Sequence, residues 1–245
     1  MIIYEGPSLL DGQQIVVIAT GIKSKSSNGK TGGMIQTWIL LRDIDPREAN
    51  KSGADYAICG QCPHRGKATT ALDKALAAER TCYVIIFQAP LNVWKTYHRG
   101  SYDRAVDSEA IANVGKDRKV RLGSYGDPAA VPAYVWQALL SKSIGRTGYS
   151  HQSGLDNADF VADIMMISAD NMAMAQGAWA NGHRTFRVID SMDDMDANEV
   201  LCPASKEAGE RTNCENCGLC AGSSIKAKSI AIVAHGNGAK YATTK

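Results

Sequence analysis

Apolar residues along this chain gather in short β-branched runs, separated by polar or Gly/Pro-rich stretches. The runs fall at 15–20, 34–41, 83–87, 120–124, 147–151, 164–168, 185–189, 199–202 and 229–234. Most lack the alternation of a half-exposed strand and read as buried parallel strands. Helical patterns lie between several of them. The stretch 89–97 has Pro90 in its first turn and then Leu91, Val93, Trp94 and Tyr97. The stretch 132–141 opens with Pro132 and places Val135, Trp136, Leu139 and Leu140 on one face. A third, 171–181, is rich in Ala and Met and stops at Asn181-Gly182, a suitable helix end. Strands alternating with helices predict an α/β protein with a mainly parallel sheet.

The strand ends are polar in series. They read Gly126-Asp127-Pro128, Ser150-His151-Gln152, Asp170-Asn171, Ile189-Asp190, Cys202-Pro203 and His235-Gly236-Asn237. In a β/α barrel the active site gathers at these ends. An open doubly wound sheet uses mostly one switch point. The series therefore predicts a parallel-stranded β/α barrel, incomplete or irregular, built as one domain over 1–245. Asp127, His151, Asp170 and His235 become candidates for acid–base catalysis, because a barrel would bring their strand ends together. The bland alternative is that Asp, Asn, Ser and Gly are ordinary loop and N-cap residues.

Composition narrows the classes. With 245 residues and 44% of them hydrophobic, the chain can bury a core. The formal charge of +2 supplies no general attraction for polyanions. Nucleic-acid binding would need a patch, either the basic loop from Lys23 to Lys30 or the surface from Trp94 to Arg104. Gly29-Lys30-Thr31 resembles the end of a phosphate-binding loop, but Ser24 stands where its first glycine belongs. On the 94–104 surface the alternative is core packing of Trp94 and Tyr97 with solvated cations. Asp190, Asp193, Asp194, Asp196 and Glu199 lack EF-hand spacing and read as a solvated acidic loop. The N-terminus has no signal-like pattern, and no apolar run approaches the roughly 20 residues of a membrane span. The expectation is a cytoplasmic protein with no membrane partner, its oligomeric state left open.

The seven cysteines change the picture most. Cys202-x11-Cys214-x2-Cys217-x2-Cys220 compresses three thiols into one turn and adds a fourth from a strand end. Four thiolates suit zinc or a four-iron cluster. The segment 202–222 is thus a predicted metal-binding insertion. Cys59, Cys62 and Cys82 form the second set, with His64 nearby. They would complete a Cys3His zinc site, or hold a 4Fe-4S cluster with one open iron. A plain core role for Cys82 and a solvated His64 are the alternatives. In a reducing cytosol both sets read as metal ligands in preference to disulfides.

The segments KTGGMIQTWIL, CGQCPHRG, TCYV, VRLGSYGDPAAVP, GYSHQ, RTFRV and CPASKEAGERTNCENCGLCAG together resemble an uncharacterised cysteine-rich protein family of tailed bacteriophages. That resemblance covers about residues 15–236 and implies a viral origin and a location in the host cytoplasm. A more distant similarity is to radical S-adenosylmethionine enzymes, which combine an incomplete β/α barrel with an open-site cluster on three cysteines. Some of them add a C-terminal auxiliary cluster. Cys62 and Cys82-Tyr83 are similar to that family's cysteine–aromatic context. Gly126-Asp127-Pro128 is similar to its Gly-Glu-Pro element, which implies S-adenosylmethionine binding there. The family's cysteines are spaced C-x3-C-x2-C, whereas nineteen residues separate Cys62 from Cys82.

Three functions compete. The first is an iron–sulfur enzyme with radical-type chemistry on an unknown small-molecule or macromolecular substrate. The second is a zinc-stapled, non-catalytic phage protein that binds nucleic acid or a host protein. The third is a barrel that keeps its metal, has lost catalysis and acts by assembly.

Overall fold

The computed structural model describes residues 1–25, 28–152 and 158–235. The chain is a mixed α/β protein. Strands β1 (Ile2–Pro7), β2 (Gln14–Thr20) and β3 (Ile35–Leu41) form an antiparallel meander. Strands β4 (Lys119–Tyr125) and β5 (Gly145–Thr147) then extend the sheet in parallel. A second sheet is wholly parallel. It contains β6 (Tyr149–Ser150), β7 (Met166–Ala169), β8 (Thr185–Ile189), β9 (Glu199–Leu201) and β10 (Ser229–Val233), in the order β6-β7-β8-β10-β9.

One residue, Gly148, separates β5 from β6, so a single extended segment pairs with β4 on one side and β7 on the other. A Cβ at Gly148 would lie 3.0 Å from that of Leu122 and 3.1 Å from that of Met165. Its N–H donates to Cys220 O at 3.1 Å, and its carbonyl accepts from Met166 N at 3.0 Å. The chain can make this passage only where no side chain intervenes. Among the described residues no ladder joins β1 to β9.

The expected parallel α/β character holds from β3 onward. The first two strands are antiparallel to their neighbours, and β1 was not foreseen. The helices expected over 89–97, 132–141 and 171–181 form as Ala89–His98, Ala133–Leu140 and Met172–Ala180. The last is capped by the Asn171 side chain, which accepts from Met174 N at 2.9 Å.

The strand expected at 83–87 does not form. Residues 83–87 make an irregular turn in which Ile86 is buried while Tyr83, Ile85 and Phe87 are exposed. Arg80 donates to Cys82 O at 2.8 Å and to Val84 O at 2.7 Å. A side chain has taken the acceptors that a neighbouring strand would use.

A large core lies under β1–β4 and the helices against them, with Trp136, Ile39 and Leu122 fully buried. A smaller one in the second sheet joins Met166, Cys220 and Ile230, with Tyr149, Phe186 and Cys202 packed around them. Among the described residues no helix is long and apolar enough to cross a membrane.

Candidate metal centres

The nineteen-residue gap between Cys62 and Cys82 is closed by backbone hydrogen bonds. Cys82 N donates to His64 O at 2.9 Å, and Thr81 N donates to the same oxygen at 3.1 Å. Lys67 and Ala78 exchange two bonds of 2.8 Å at the neck of the intervening excursion. A buried polar network anchors this loop. Asn50 donates to Asp55 at 2.7 Å and to Arg65 O at 2.9 Å, and it accepts from Ala77 N at 3.1 Å. Arg65 pairs with Asp55, which is 2% exposed, and donates to Gly53 O at 2.5 Å. Even so, burial pushes the Asp55 carboxyl above its ordinary value, with Arg65 and Asn50 opposing.

Cys59, Cys62 and Cys82 are thereby brought together. The Cys59 thiol is pushed well above its ordinary pKa, first by burial and then by the charges of Asp55, Cys62 and Cys82. Burial raises Cys82 likewise, with Cys62 adding to the effect and Arg80 opposing it. The Tyr125 hydroxyl faces the same place. It is raised well above its ordinary value, first by burial and then by Cys59, Asp55 and Cys82. That hydroxyl is buried and has no hydrogen-bond partner among the described residues. A buried donor without an acceptor is costly, and a sulfur of a bound cluster would satisfy it.

The strand ends beside this set also converge. His151, after β6, has its Nε2 3.9 Å from Cys62 Sγ and 3.2 Å from Asp170 Oδ1. His64 Nε2 lies 3.6 Å from the same Asp170 oxygen, and its Nδ1 is 2.7 Å from Thr81 Oγ1. Burial disfavours the His151 imidazolium, but Asp170 and Cys62 outweigh it and hold its pKa well above the usual histidine value.

Asp127 supports this arrangement from behind. Its carboxylate is 6% exposed and accepts from Ala129 N at 3.0 Å and His151 N at 2.8 Å. Gln152 Nε2 donates to Cys59 O at 3.1 Å and approaches Asp127 at 3.4 Å. Asp127 therefore positions the His151–Gln152 backbone. Gly126 has φ +81°, and a Cβ there would come within 2.7 Å of Ile39 Cβ. Pro128 is buried, and its carbonyl accepts from Trp136 Nε1 at 2.9 Å. The structure thus gives Gly126, Asp127 and Pro128 packing and capping duties. His235 is exposed, with its Nδ1 3.0 Å from Val233 O. It stands outside the His64–His151–Asp170 group.

Cys202, Cys214, Cys217 and Cys220 form the second assembly. The Asn213 side chain caps the short turn Cys214–Cys217, and Gly218 ends it with φ +67°. Cys214 and Cys217 therefore share one face of the turn. Arg184, 7% exposed, donates to Leu219 O at 2.8 Å, Gly222 O at 2.9 Å and Lys228 O at 2.6 Å, which fixes the segment carrying Cys220. Burial pushes the Cys220 thiol up to about 12, opposed by the Tyr149 hydroxyl and reinforced by Cys202, Cys214 and Cys217. Cys202 and Cys214 are also raised by burial, and Lys30 opposes both shifts.

Two cations serving this assembly were not apparent in the sequence. The Lys30 carbonyl accepts from Cys214 N at 2.8 Å, and Gly33 N donates to Glu215 at 2.7 Å. The basic loop therefore covers the cysteine turn. Residues 26 and 27 of that loop lie outside the described residues. Arg121 on β4 is 7% exposed and pairs with no carboxylate among the described residues. Burial works against its charge, but Tyr83, Tyr149, Cys214 and Cys220 hold its pKa above the ordinary value. Only the pairing of Lys30 and Arg121 with distant cysteines would have marked them in the sequence.

Three of the other sequence candidates, Trp94, Arg104 and Glu199, make structural contacts. Trp94 donates to Leu41 O at 3.1 Å and stacks on His98, and Arg104 pairs with Glu5. Glu199 is buried against Arg187 with bonds of 2.9 and 2.6 Å. No family model, curated protein or solved structure matches the chain.

Proposed function

We propose that the protein is an iron–sulfur enzyme whose active site lies where the ends of β4, β6 and β7 meet Cys59, Cys62 and Cys82. The closure of the 62–82 gap by the Cys82–His64 hydrogen bond carries this reading. Three cysteines then surround a pocket of chemistry at the strand ends, in an incomplete β/α barrel formed by the two sheets joined through Gly148. Cys202, Cys214, Cys217 and Cys220 hold a second, fully ligated 4Fe-4S cluster in the 202–222 insertion.

The cysteine sulfurs are not gathered as closely as a single zinc ion requires. A tetrahedral zinc with bonds of about 2.3 Å needs sulfurs about 3.8 Å apart. Among the described residues no three cysteine sulfurs lie within 4.8 Å of one another. Charge supports the four-cysteine set as a ligated centre. Four thiolates on a doubly charged core leave two negative charges, and Lys30 and Arg121 supply two positive ones.

At the three-cysteine set a cluster would leave one iron free for a substrate or for S-adenosylmethionine, the cofactor of the radical-type chemistry that the sequence suggests. This chain's own residues partly bury Cys59, Cys62 and Cys82 and offer the Tyr125 hydroxyl to the cluster. They also present His64, His151 and Asp170 at its edge. A phage origin and a host-cytoplasmic location are consistent with free thiols throughout.

Anaerobic purification followed by iron and acid-labile sulfide analysis tests the reading. About eight irons and eight sulfides per chain are expected from two four-iron clusters. A colourless protein with stoichiometric zinc and no sulfide overturns it in favour of the zinc-stapled alternative.

A further inference from the structure

We propose that His64, His151 and Asp170 form a separate mononuclear site for one divalent transition ion such as manganese(II) or iron(II). The inference requires only that Cys59, Cys62 and Cys82 bind their metal without His64, whichever metal that is. Among the described residues this is the one group of three or more His, Cys, Asp or Glu ligand atoms lying within 4.8 Å of one another.

The three ligands come from three unconnected places. His64 lies on the loop after Cys62, His151 follows β6, and Asp170 follows β7. Both Nε2 atoms converge on one carboxylate oxygen, at 3.2 and 3.6 Å. The longer separation exceeds a normal N–H···O bond, so a hydrogen-bonded triad does not account for it. Metal bonds of about 2.1 Å put neighbouring ligand atoms about 3.0 Å apart at right angles and about 3.4 Å apart at the tetrahedral angle. The His151–Asp170 separation of 3.2 Å falls in that range, and the His64–Asp170 separation of 3.6 Å lies just above it.

The supporting groups are those a metal site requires. Thr81 Oγ1 lies 2.7 Å from His64 Nδ1. With the Nδ1 proton donated to that hydroxyl, the ring's lone pair is on Nε2, the atom that faces Asp170. Asp127 fixes His151 through its backbone N–H at 2.8 Å. The His64 and His151 rings pack edge to face, with centroids 5.6 Å apart. Side-chain exposures of 24%, 17% and 27% leave one side of the group accessible. Two imidazoles and one carboxylate with an open face suit a borderline divalent ion that keeps positions for substrate. Cys62, 3.9 Å from His151 Nε2, places this ion at the border of the three-cysteine set.

Manganese(II) is the probe, because carboxylate and imidazole accept it while thiolate sites favour softer metals. The anaerobically purified full chain is titrated with manganese, and the free ion is followed by its six-line EPR signal. One bound manganese per chain is expected. His64→Gln and Asp170→Asn are each expected to weaken binding by about tenfold or more, with iron, sulfide and zinc contents unchanged. An undiminished free-manganese signal with excess wild-type protein overturns the proposal, and so does unchanged affinity in both variants. Zinc in place of iron at the cysteines, retained in His64→Gln, would defeat the iron–sulfur reading and leave this result intact.

Discussion

Arg121 donates a hydrogen bond of 2.6 Å to the hydroxyl of Tyr83, the residue that follows Cys82. The same guanidinium lies 5.5 Å from the centroid of the Tyr149 ring, whose hydroxyl is electrostatically coupled to the Cys220 thiol. One buried cation thus touches the surroundings of both cysteine sets. Among the described residues it has no carboxylate partner, and Cys214 and Cys220 are among the groups that favour its charge. Arg121→Met is expected to weaken metal retention at the 202–220 set by about tenfold or more, as loss of outer-shell support does. Tyr83→Phe keeps the charge and is expected to change retention far less. Chelator competition, with metal analysis of the dialysed protein, measures both.

The two cysteine sets belong to different cores and should empty independently. Cys82→Ala is expected to halve the iron and sulfide content and to leave the second centre in place. Cys217→Ala should do the reverse. Loss of all metal from either variant would show that the two sets form one centre.

Tyr125 gives a prediction of opposite sign in the two states. Its unpartnered hydroxyl burdens the metal-free protein, so Tyr125→Phe is expected to stabilise that form by about 1–3 kcal/mol. In the loaded protein the same change removes a hydrogen bond to sulfur, and the reduction potential of the three-cysteine centre should fall. Urea unfolding of the metal-free chain and redox titration of the loaded chain measure the two effects.

The Asp55–Arg65 pair holds the loop that carries Cys62 and His64. Arg65→Met leaves a carboxylate at 2% exposure without its cation and is expected to cost about 3–5 kcal/mol near neutral pH. The Asp55 pKa is already raised in the folded protein, and losing Arg65 raises it further. A raised folded pKa favours folding at low pH, and that benefit is lost as pH rises through it. The deficit should therefore shrink on acidification, and denaturation midpoints measured across the acidic range check its sign.

Some of this molecule is legible from residue order alone. The apolar runs at 15–20, 34–41, 120–124 and 185–189 are strands because their β-branched side chains have buried faces to fill. The Asn171 cap and the tight Cys214–Cys217 turn follow from local chemistry over three or four residues. The 83–87 stretch has the composition of a strand, yet Arg80 claims the carbonyls of Cys82 and Val84, and no strand ladder pairs with it among the described residues.

By itself, the sequence determined the α/β alternation and the division of seven cysteines into three and four, because periodicity and close spacing are local properties. Tertiary structure alone decided how those groups meet. The Cys82–His64 hydrogen bond closes a nineteen-residue excursion, and Gly148 lets one segment join two sheets. Lys30 and Arg121 reach the 202–220 thiols from far along the chain. His64, His151 and Asp170 converge on one point from three separate segments. Such contacts depend on backbone paths through a packed core, where burial gives an unpaired charge or donor an energetic consequence that residue order does not display.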